Sequence, residues 1–246
     1  QQSYTQEDDE TVIRDVIRYM RRPNYIRVNG KPLFVLYRPH LLPDVQRTLS
    51  TWRRVCREEG IGEVYLCAME VFELARTYKD PRKLGFDASI EFPPSGMSEK
   101  CTTSRQMFNP AYTGTISDYR RIAQLYMRET IPGFTRFRGV MPSWDNTARR
   151  QNDAFIFDKA SPGAFQAWLE AAIEATLDQN HGDERIVFIN AWNEWAEGAH
   201  LEPDLRFGRG WLEALRNARE SLMLLSKGQT PSTPTADQMW SWLVIR

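Results

Sequence analysis

Charge of one sign is the first thing this sequence lacks. Its 246 residues carry 32 Lys and Arg against 32 Asp and Glu, a formal net charge of zero. A balanced chain has no global field to draw in nucleic acid or an anionic membrane, so nucleic acid is not expected as a partner. Cysteine is sparse. Cys56, Cys67 and Cys101 form an odd set without a CxxC pair, which makes neither a disulfide framework nor a zinc knuckle. His40, His181 and His200 lie far apart with no HExxH or H-x-H spacing, so no metal is signalled. No apolar run reaches the roughly 18 residues of a membrane span, and no span is expected. Also missing are a GxSxG elbow, a GxGxxG after a strand and a P-loop. Their absence removes the signatures of serine hydrolysis, dinucleotide binding and NTP chemistry, and no cofactor is expected.

What is present is an alternation of strand and helix signals in a chain long enough for one large domain or two small ones. "EDDETVIRDVIRYMRR" places Val12, Val16, Ile17 and Met20 at helical spacing, with acids first and arginines last, the order that suits the helix dipole. Asn29-Gly30 predicts a turn before the short buried strand "LFVLY", which Pro39 stops. "LPDVQRTLSTWRRVCREEG" predicts a helix ending at Gly60, and "EVYLCAME" and "FDASIEF" predict strands. "ISDYRRIAQLYMRE" predicts a helix, and "FRGVMPSWDNT" a strand running into a polar loop. "SPGAFQAWLEAAIEATLD" is a helix with Ser161 as cap and Pro162 in its first turn. "RIVFINAW" is a strand and "GWLEALRNARESLMLL" the last helix, before a Ser/Thr/Pro-rich tail over 227–246 expected to be mobile. Five strands, each followed by a helix or long loop, imply a parallel α/β sheet, either doubly wound or part of a (β/α)8 TIM-type barrel. Polar and aromatic residues cluster just after the strand ends, where both architectures bind ligands, and this favours the barrel.

Those clusters supply the candidate site. "NAWNEWAEGAH" puts Glu194 and Glu197 three residues apart, flanked by Trp192, Asn193 and Trp195. Glycosidic chemistry needs a proton donor at the leaving oxygen and a second carboxylate on the reacting sugar, in retaining enzymes held about 5 Å apart. A carboxylate against an indole is partly desolvated, which raises its pKa toward an acid's role. The same spacing is common on solvated surfaces, so the residues alone leave both readings open. In "MPSWDNTARR", Trp144 either stacks on a sugar or packs inside. Asp145 and Asn146 either bind hydroxyls or cap the next segment, and Arg149 and Arg150 either bind phosphate or pair with acids. Glu91 is a ligand contact or a salt-bridge partner, and Tyr37 and Arg38 line a pocket at the end of "PLFVL" or pair nearby.

Taken together, "NAWNEWAEGAHLEPD" with "GWLEALR", "MPSWDNTARR", "NGKPLFVLYRP" and "LGFDASIEFPP" resemble the WbsX-like family. Members carry a lipopolysaccharide-biosynthesis glycosyltransferase description, and the family is related to glycoside hydrolase family 99, the endo-α-mannosidases and endo-α-mannanases. The resemblance runs over about residues 1 to 225 and implies a (β/α)8 barrel. "NEWAEG" is similar to the "NEWHEG" of those hydrolases, with Ala196 where they carry His. It implies Glu194 as the base at a substrate 2-hydroxyl and Glu197 as the acid, and later base, at the glycosidic oxygen, through an anhydro-sugar intermediate and without a metal. Relatives carry a long stretch before the equivalent of "QQSYTQEDD". The resemblance therefore implies that residues 1–226 are the C-terminal five βα units of a barrel, completed by a missing N-terminal segment or a partner chain. It implies an oligosaccharide or polysaccharide substrate and a bacterial role in cell-envelope glycans, without fixing the side of the membrane. Two alternatives stand beside a glycosidase: a glycosyltransferase using an activated donor, and a non-catalytic glycan-binding module.

Overall fold

A computed structural model describes the chain except residues 1–3, 6, 75–79, 97–107, 130–131, 228–242 and 246. The chain divides into two compact units, residues 1–96 with 132–137 and 180–185, and the remainder.

The first unit opens with α1 (Asp8–Met20), its first turn acidic and Arg18 in its last, as the dipole favours. Its inward stripe is Ile13, Ile17 and Met20; Val12 and Val16 pack at its flank. Asp9 is buried in that stripe because it is satisfied: Tyr4 and Thr48 hydroxyls donate to Oδ1, each at 2.8 Å. The hairpin of β1 (Arg27–Val28) and β2 (Lys31–Leu36) turns on Asn29 and Gly30. Both have positive φ, 52° and 76°, the conformation that a two-residue hairpin requires. α2 (Val45–Glu58) starts where the Asp44 side chain accepts from Arg47 N at 3.0 Å, and ends before Gly60. β2, β3 (Tyr65–Glu70), β4 (Ala88–Glu91) and the first two residues of β6 pair in parallel. α1 and α2 cover one face of these strands, with Trp52, Val55, Leu66 and Phe86 in the core.

The second unit begins with β5 (Thr115–Asp118) and α3 (Tyr119–Met127). Sequence periodicity runs "ISDYRR" together as one helix. The structure instead makes Thr115–Asp118 a strand, and Asp118 caps the helix by accepting from Arg120 N at 3.0 Å. β6 (Arg136–Val140) is followed by α4 (Thr147–Arg150) and by β7 (Phe155–Asp158), which pairs in parallel with β5. α5 (Pro162–Gln179) begins at the expected cap, with Ala164 N donating to Ser161 Oγ at 3.3 Å. β8 (Val187–Ile189) lies parallel to residues 138–140 of β6. A small antiparallel pair, β9 (Asn193–Glu194) and β10 (Ala199–His200), follows, and then α6 (Gly210–Lys227). β11 (Leu243–Ile245) pairs alongside β8, while 228–242 of the tail expected to be mobile lie outside the described residues. Trp168 anchors this core between Tyr119 and Tyr126, ring centroids 5.7 and 5.3 Å away.

Burial pushes the Cys56 thiol up to about 11 and the Cys67 thiol up as well, so both are inert core groups. Cys101 lies outside the described residues. Among the described residues no helix is long and apolar enough to cross a membrane.

One polar cluster is sealed inside the first unit. Arg136, at the start of β6, holds Glu70 through Nη2 at 2.6 Å and Glu91 through Nη1 at 3.0 Å, and Ser89 donates to Glu70 at 2.6 Å. Removing one member of such a buried set leaves an uncompensated charge. Arg136→Ala is expected to lower unfolding free energy by about 3–5 kcal/mol, read by urea denaturation. A loss no larger than that of an exposed arginine would show that the cluster is not holding the strands.

Candidate active site

The "NAWNEWAEGAH" segment forms a two-strand ladder with a bent tip. Glu194 sits opposite Ala199 and Asn193 opposite His200. Trp195–Glu197 make a single 3-10 turn, and the Gly198 N–H closes it onto Trp195 O at 3.0 Å.

The tip docks on the loop after β6. Asp145 N donates to Glu197 O at 2.8 Å, and the Ser143 hydroxyl donates to Gly198 O. Only glycine fits at 198. Its φ is 61°, and an added Cβ would lie 2.8 Å from Asp145 N and 3.0 Å from Asp145 O. The backbone on either side of the tip is therefore fixed, and Glu197 with it.

The return limb is held by Asp204. Burial opposes its ionisation. The Phe207 N–H, the Trp211 indole, His200 and the Arg206 N–H outweigh that and hold its carboxyl below the usual carboxylate range. His200 then stacks flat on Trp195, ring centroids 3.8 Å apart at 15°, and Trp195 Nε1 donates to Glu202 at 2.7 Å. One indole face is thus occupied, yet Trp195 is 49% exposed. Trp192 is also exposed, and its carbonyl accepts from Leu201 N and Glu202 N.

The two carboxylates meet different surroundings. Glu197 Oε1 lies 2.5 Å from Arg149 Nη1. The Glu194 side chain has no hydrogen-bond or ion-pair partner among the described residues. The tip stands between two cavities. One, of about 770 Å³, is walled by Trp195, Gly198, His200, Trp144 and Trp211. The other, of about 420 Å³, is walled by Glu197, Arg149, Arg150, Asp153 and Asn146. The first falls within the size range of small-ligand pockets and the second near its lower end. Glu194 lines neither of these two.

Of the expected site residues, the structure gathers Trp192, Asn193, Glu194, Trp195 and Glu197 on the hairpin, docked against the loop that carries Trp144, Asp145 and Asn146. Trp144 follows the packing alternative: it is 8% exposed and belongs to the core around Phe157 and Trp168. Asp145 Oδ1 accepts from Thr147 N at 3.0 Å, which caps α4, and Asn146 Oδ1 accepts from Phe155 N at 2.7 Å, which ties the loop to β7. Tyr37, Arg38 and Glu91 belong to the first unit. Glu91 follows the salt-bridge alternative, because a carboxylate 2% exposed survives only by pairing, here with Arg136. Tyr37 is exposed and meets Phe92 edge-on at 5.7 Å; the Arg38 guanidinium lies 4.0 Å from the Phe72 ring centre. Sequence reasoning missed Phe72, Arg136 and the docking roles of Ser143 and Gly198. A signal for Arg136 stands in "TRFRGV", since an arginine inside an apolar strand needs a buried acid. Among the described residues no group of three His, Cys, Asp or Glu is placed to hold a metal.

A sequence profile described as glycosyltransferase WbsX matches residues 1–215. An "uncharacterized protein WxcX" of Xanthomonas campestris pv. campestris is 44% identical over 218 residues, covering 88% of this chain. The same match recurs in a second strain. The chain spans 31% of the length of these curated relatives. Among solved structures, a glycoside hydrolase-like protein aligns with TM-score 0.55 at 16% identity, over 86% of this chain and 60% of that one. The GH99 endo-alpha-mannosidase from Bacteroides thetaiotaomicron aligns with TM-score 0.50 at 16% identity, over 89% and 65%. At such identity the likeness shows the fold alone, which is α/β of the (β/α)8-barrel type.

Two outcomes follow from the hairpin's anchoring. Gly198→Ala combines a left-handed backbone with a clash against Asp145 backbone and is expected to cost about 1–3 kcal/mol, measured by thermal or urea unfolding. A neutral result would mean that the tip does not need its dock. Asp204 has a lowered folded pKa, so its contribution is present above the unfolded value and lost as pH falls through the folded one. Stability should therefore drop on acidification below the usual carboxylate range of about 4. The drop should be smaller in Asp204→Asn, whose unfolding midpoint should also be lower at neutral pH.

Proposed function

The chain belongs to the glycosyltransferase WbsX family, and from that premise we propose that it forms part of an enzyme acting on α-linked glycosidic bonds through Glu194 and Glu197. Membership in a family described as glycosyltransferases supports reading it as a carbohydrate-active enzyme. The observation that carries the finer reading is the hairpin tip. It holds two carboxylates in unequal surroundings, one engaged by an arginine and one without a partner among the described residues. Pairs of carboxyls with different environments divide acid and base roles between them.

In this reading Glu194 takes the proton of a sugar 2-hydroxyl. The 2-oxygen then bonds to the anomeric carbon as the glycosidic C–O bond breaks. Glu197 gives its proton to the departing oxygen. In the second half the two act in reverse: Glu197 takes a proton from water, water opens the anhydro sugar, and Glu194 returns a proton to the 2-oxygen. Trp195 and Trp192 offer exposed indole faces for the apolar faces of sugar rings. The long extent of the curated relatives beyond this match supports reading residues 1–226 as part of a larger barrel. A role in bacterial cell-surface polysaccharide metabolism fits the family.

A second reading, sugar transfer from an activated donor, is favoured by the family's own description and by the arginines lining the smaller cavity, which suit a diphosphate. One experiment separates the two. The complete enzyme is incubated with α-mannan and bacterial surface oligosaccharides, with and without nucleotide sugars, and products are read by mass spectrometry. Cleavage that falls roughly 10²- to 10⁴-fold in Glu197→Gln and in Glu194→Gln is expected. Undiminished cleavage in either variant would sink the assignment, and products formed only with a nucleotide sugar would move it to transfer.

A further inference from the structure

The Arg149–Glu197 pair poses a difficulty for an acid. A guanidinium against a carboxylate favours the ionised form, whereas Glu197 must carry a proton to release the leaving group. Something must take the arginine away, and the smaller cavity indicates what.

We propose that this cavity is an anion subsite, in which Arg149 and Arg150 receive a carboxylate or phosphate carried by the glycan and release Glu197. The inference rests on the reading of Glu197 as the acid, and it names the substrate class as acidic glycans. Both arginines line the cavity with Glu197, and both are more than half exposed, at 56% and 61%. Among the described residues each guanidinium has one acidic partner, Glu197 for Arg149 and Asp153 for Arg150. Each guanidinium therefore keeps N–H groups spare for the fork-shaped grip that suits carboxylate and phosphate. The Arg150–Asp153 pair is exposed on both sides and weak, while in the other pair the guanidinium faces solvent and Glu197 is the more buried member.

The backbone beneath the arginines is fixed. Arg149 N and Arg150 N both donate to Asn146 O, at 3.0 and 2.9 Å, and Asn146 is tied to β7 through Phe155. The side chains can swing while their anchor stays. Among the described residues, the charged groups that line the cavity are Arg149 and Arg150 from α4, Asp153 from the turn after it, and Glu197 from the hairpin tip. Thr115 from β5 and Ala154 and Phe155 from the β7 side are neutral, and Asp145 spends an oxygen on the Thr147 N–H. These four charges sum to zero, so an incoming anion competes directly with Glu197 and Asp153 for the two cations. Once it holds Arg149, the guanidinium turns from Glu197 to the new anion, and a negative charge beside Glu197 favours its protonated form. A neutral glycan leaves the pair closed.

The test uses the complete enzyme and matched ligands: an α-linked oligosaccharide bearing glucuronic acid, its carboxyl-reduced neutral counterpart, and a phosphorylated counterpart. Calorimetry should show one or both acidic ligands binding at least about tenfold tighter than the neutral one, the range of a charge-assisted hydrogen bond. Arg149→Ala should abolish that preference, and Arg149→Lys should restore part of it. Which acidic ligand is preferred identifies the group. In turnover, the preference should fall on kcat as well as KM, and Arg149→Ala should move the acidic limb of the pH profile on neutral substrate. Equal binding of acidic and neutral ligands, or a preference that survives in Arg149→Ala, overturns the subsite. Glu197→Gln, assayed in parallel, keeps the two ideas apart: its inactivity upholds the acid role even if the subsite fails, and its full activity removes that role.

Discussion

The candidate site depends on one close approach, that of Gly198 to the Asp145 backbone. A hairpin of two residues per strand has too few ladder bonds to hold its own tip. What holds it is external: one backbone bond into Glu197 O, one hydroxyl bond into Gly198 O, and a contact that no side chain would permit. The loop that receives the tip is itself tied down, by Asp145 capping α4 and Asn146 bonding β7. Two short irregular segments thus rigidify each other. Trp144 on the loop and Ala199 and Leu201 on the return limb also share one buried cluster, so a change at 198 disturbs both segments.

The same tying-down explains the division of polar residues in the second unit. Asp145, Asn146 and Asp204 are polar and near the cavities, but their oxygens are committed to backbone N–H groups. They position the chain. Glu197, Arg149 and Arg150 instead form side-chain ion pairs, Glu197 with Arg149 and Arg150 with Asp153. A polar residue beside a cavity is evidence of function only after its own backbone obligations are subtracted.

Much of the fold was legible in the sequence because its signals are local. Short β-branched and aromatic runs after turn residues marked β2, β3, β4, β6 and β8, and the stripe of Ile13, Ile17 and Met20 marked α1. Where the reading diverged or left two alternatives open, the deciding interaction joins residues far apart in the chain. Thr115–Asp118 is a strand because β7, forty residues on, pairs with it. Trp144 is core because it joins the buried cluster that includes Phe157 and Trp168, and Glu91 is sealed because Arg136 reaches it. No window around "PSWDN" or "SIEFPP" contains those partners. The hairpin itself was only half legible: the pair of glutamates was visible, but not that a glycine and a serine hydroxyl would fix one of them.

The spacing E-x-x-E is ordinarily uninformative because on a helix both carboxylates share one solvated face, and so one environment. Here the three-residue interval is spent differently. Glu194 lies in the ladder, and the chain then bends through a 3-10 turn before Glu197 emerges at the other side of the tip beside Arg149. The bend converts a short separation in sequence into two electrostatic settings. One carboxylate meets a cation and the other does not, and such inequality is the physical requirement for two like groups to exchange protons in opposite directions. A continuous helix through the same residues would keep the sequence motif and lose that inequality. The turn, more than the glutamates alone, therefore supports the acid–base roles proposed for this segment, with Arg149 as the group that must move for Glu197 to act as the acid.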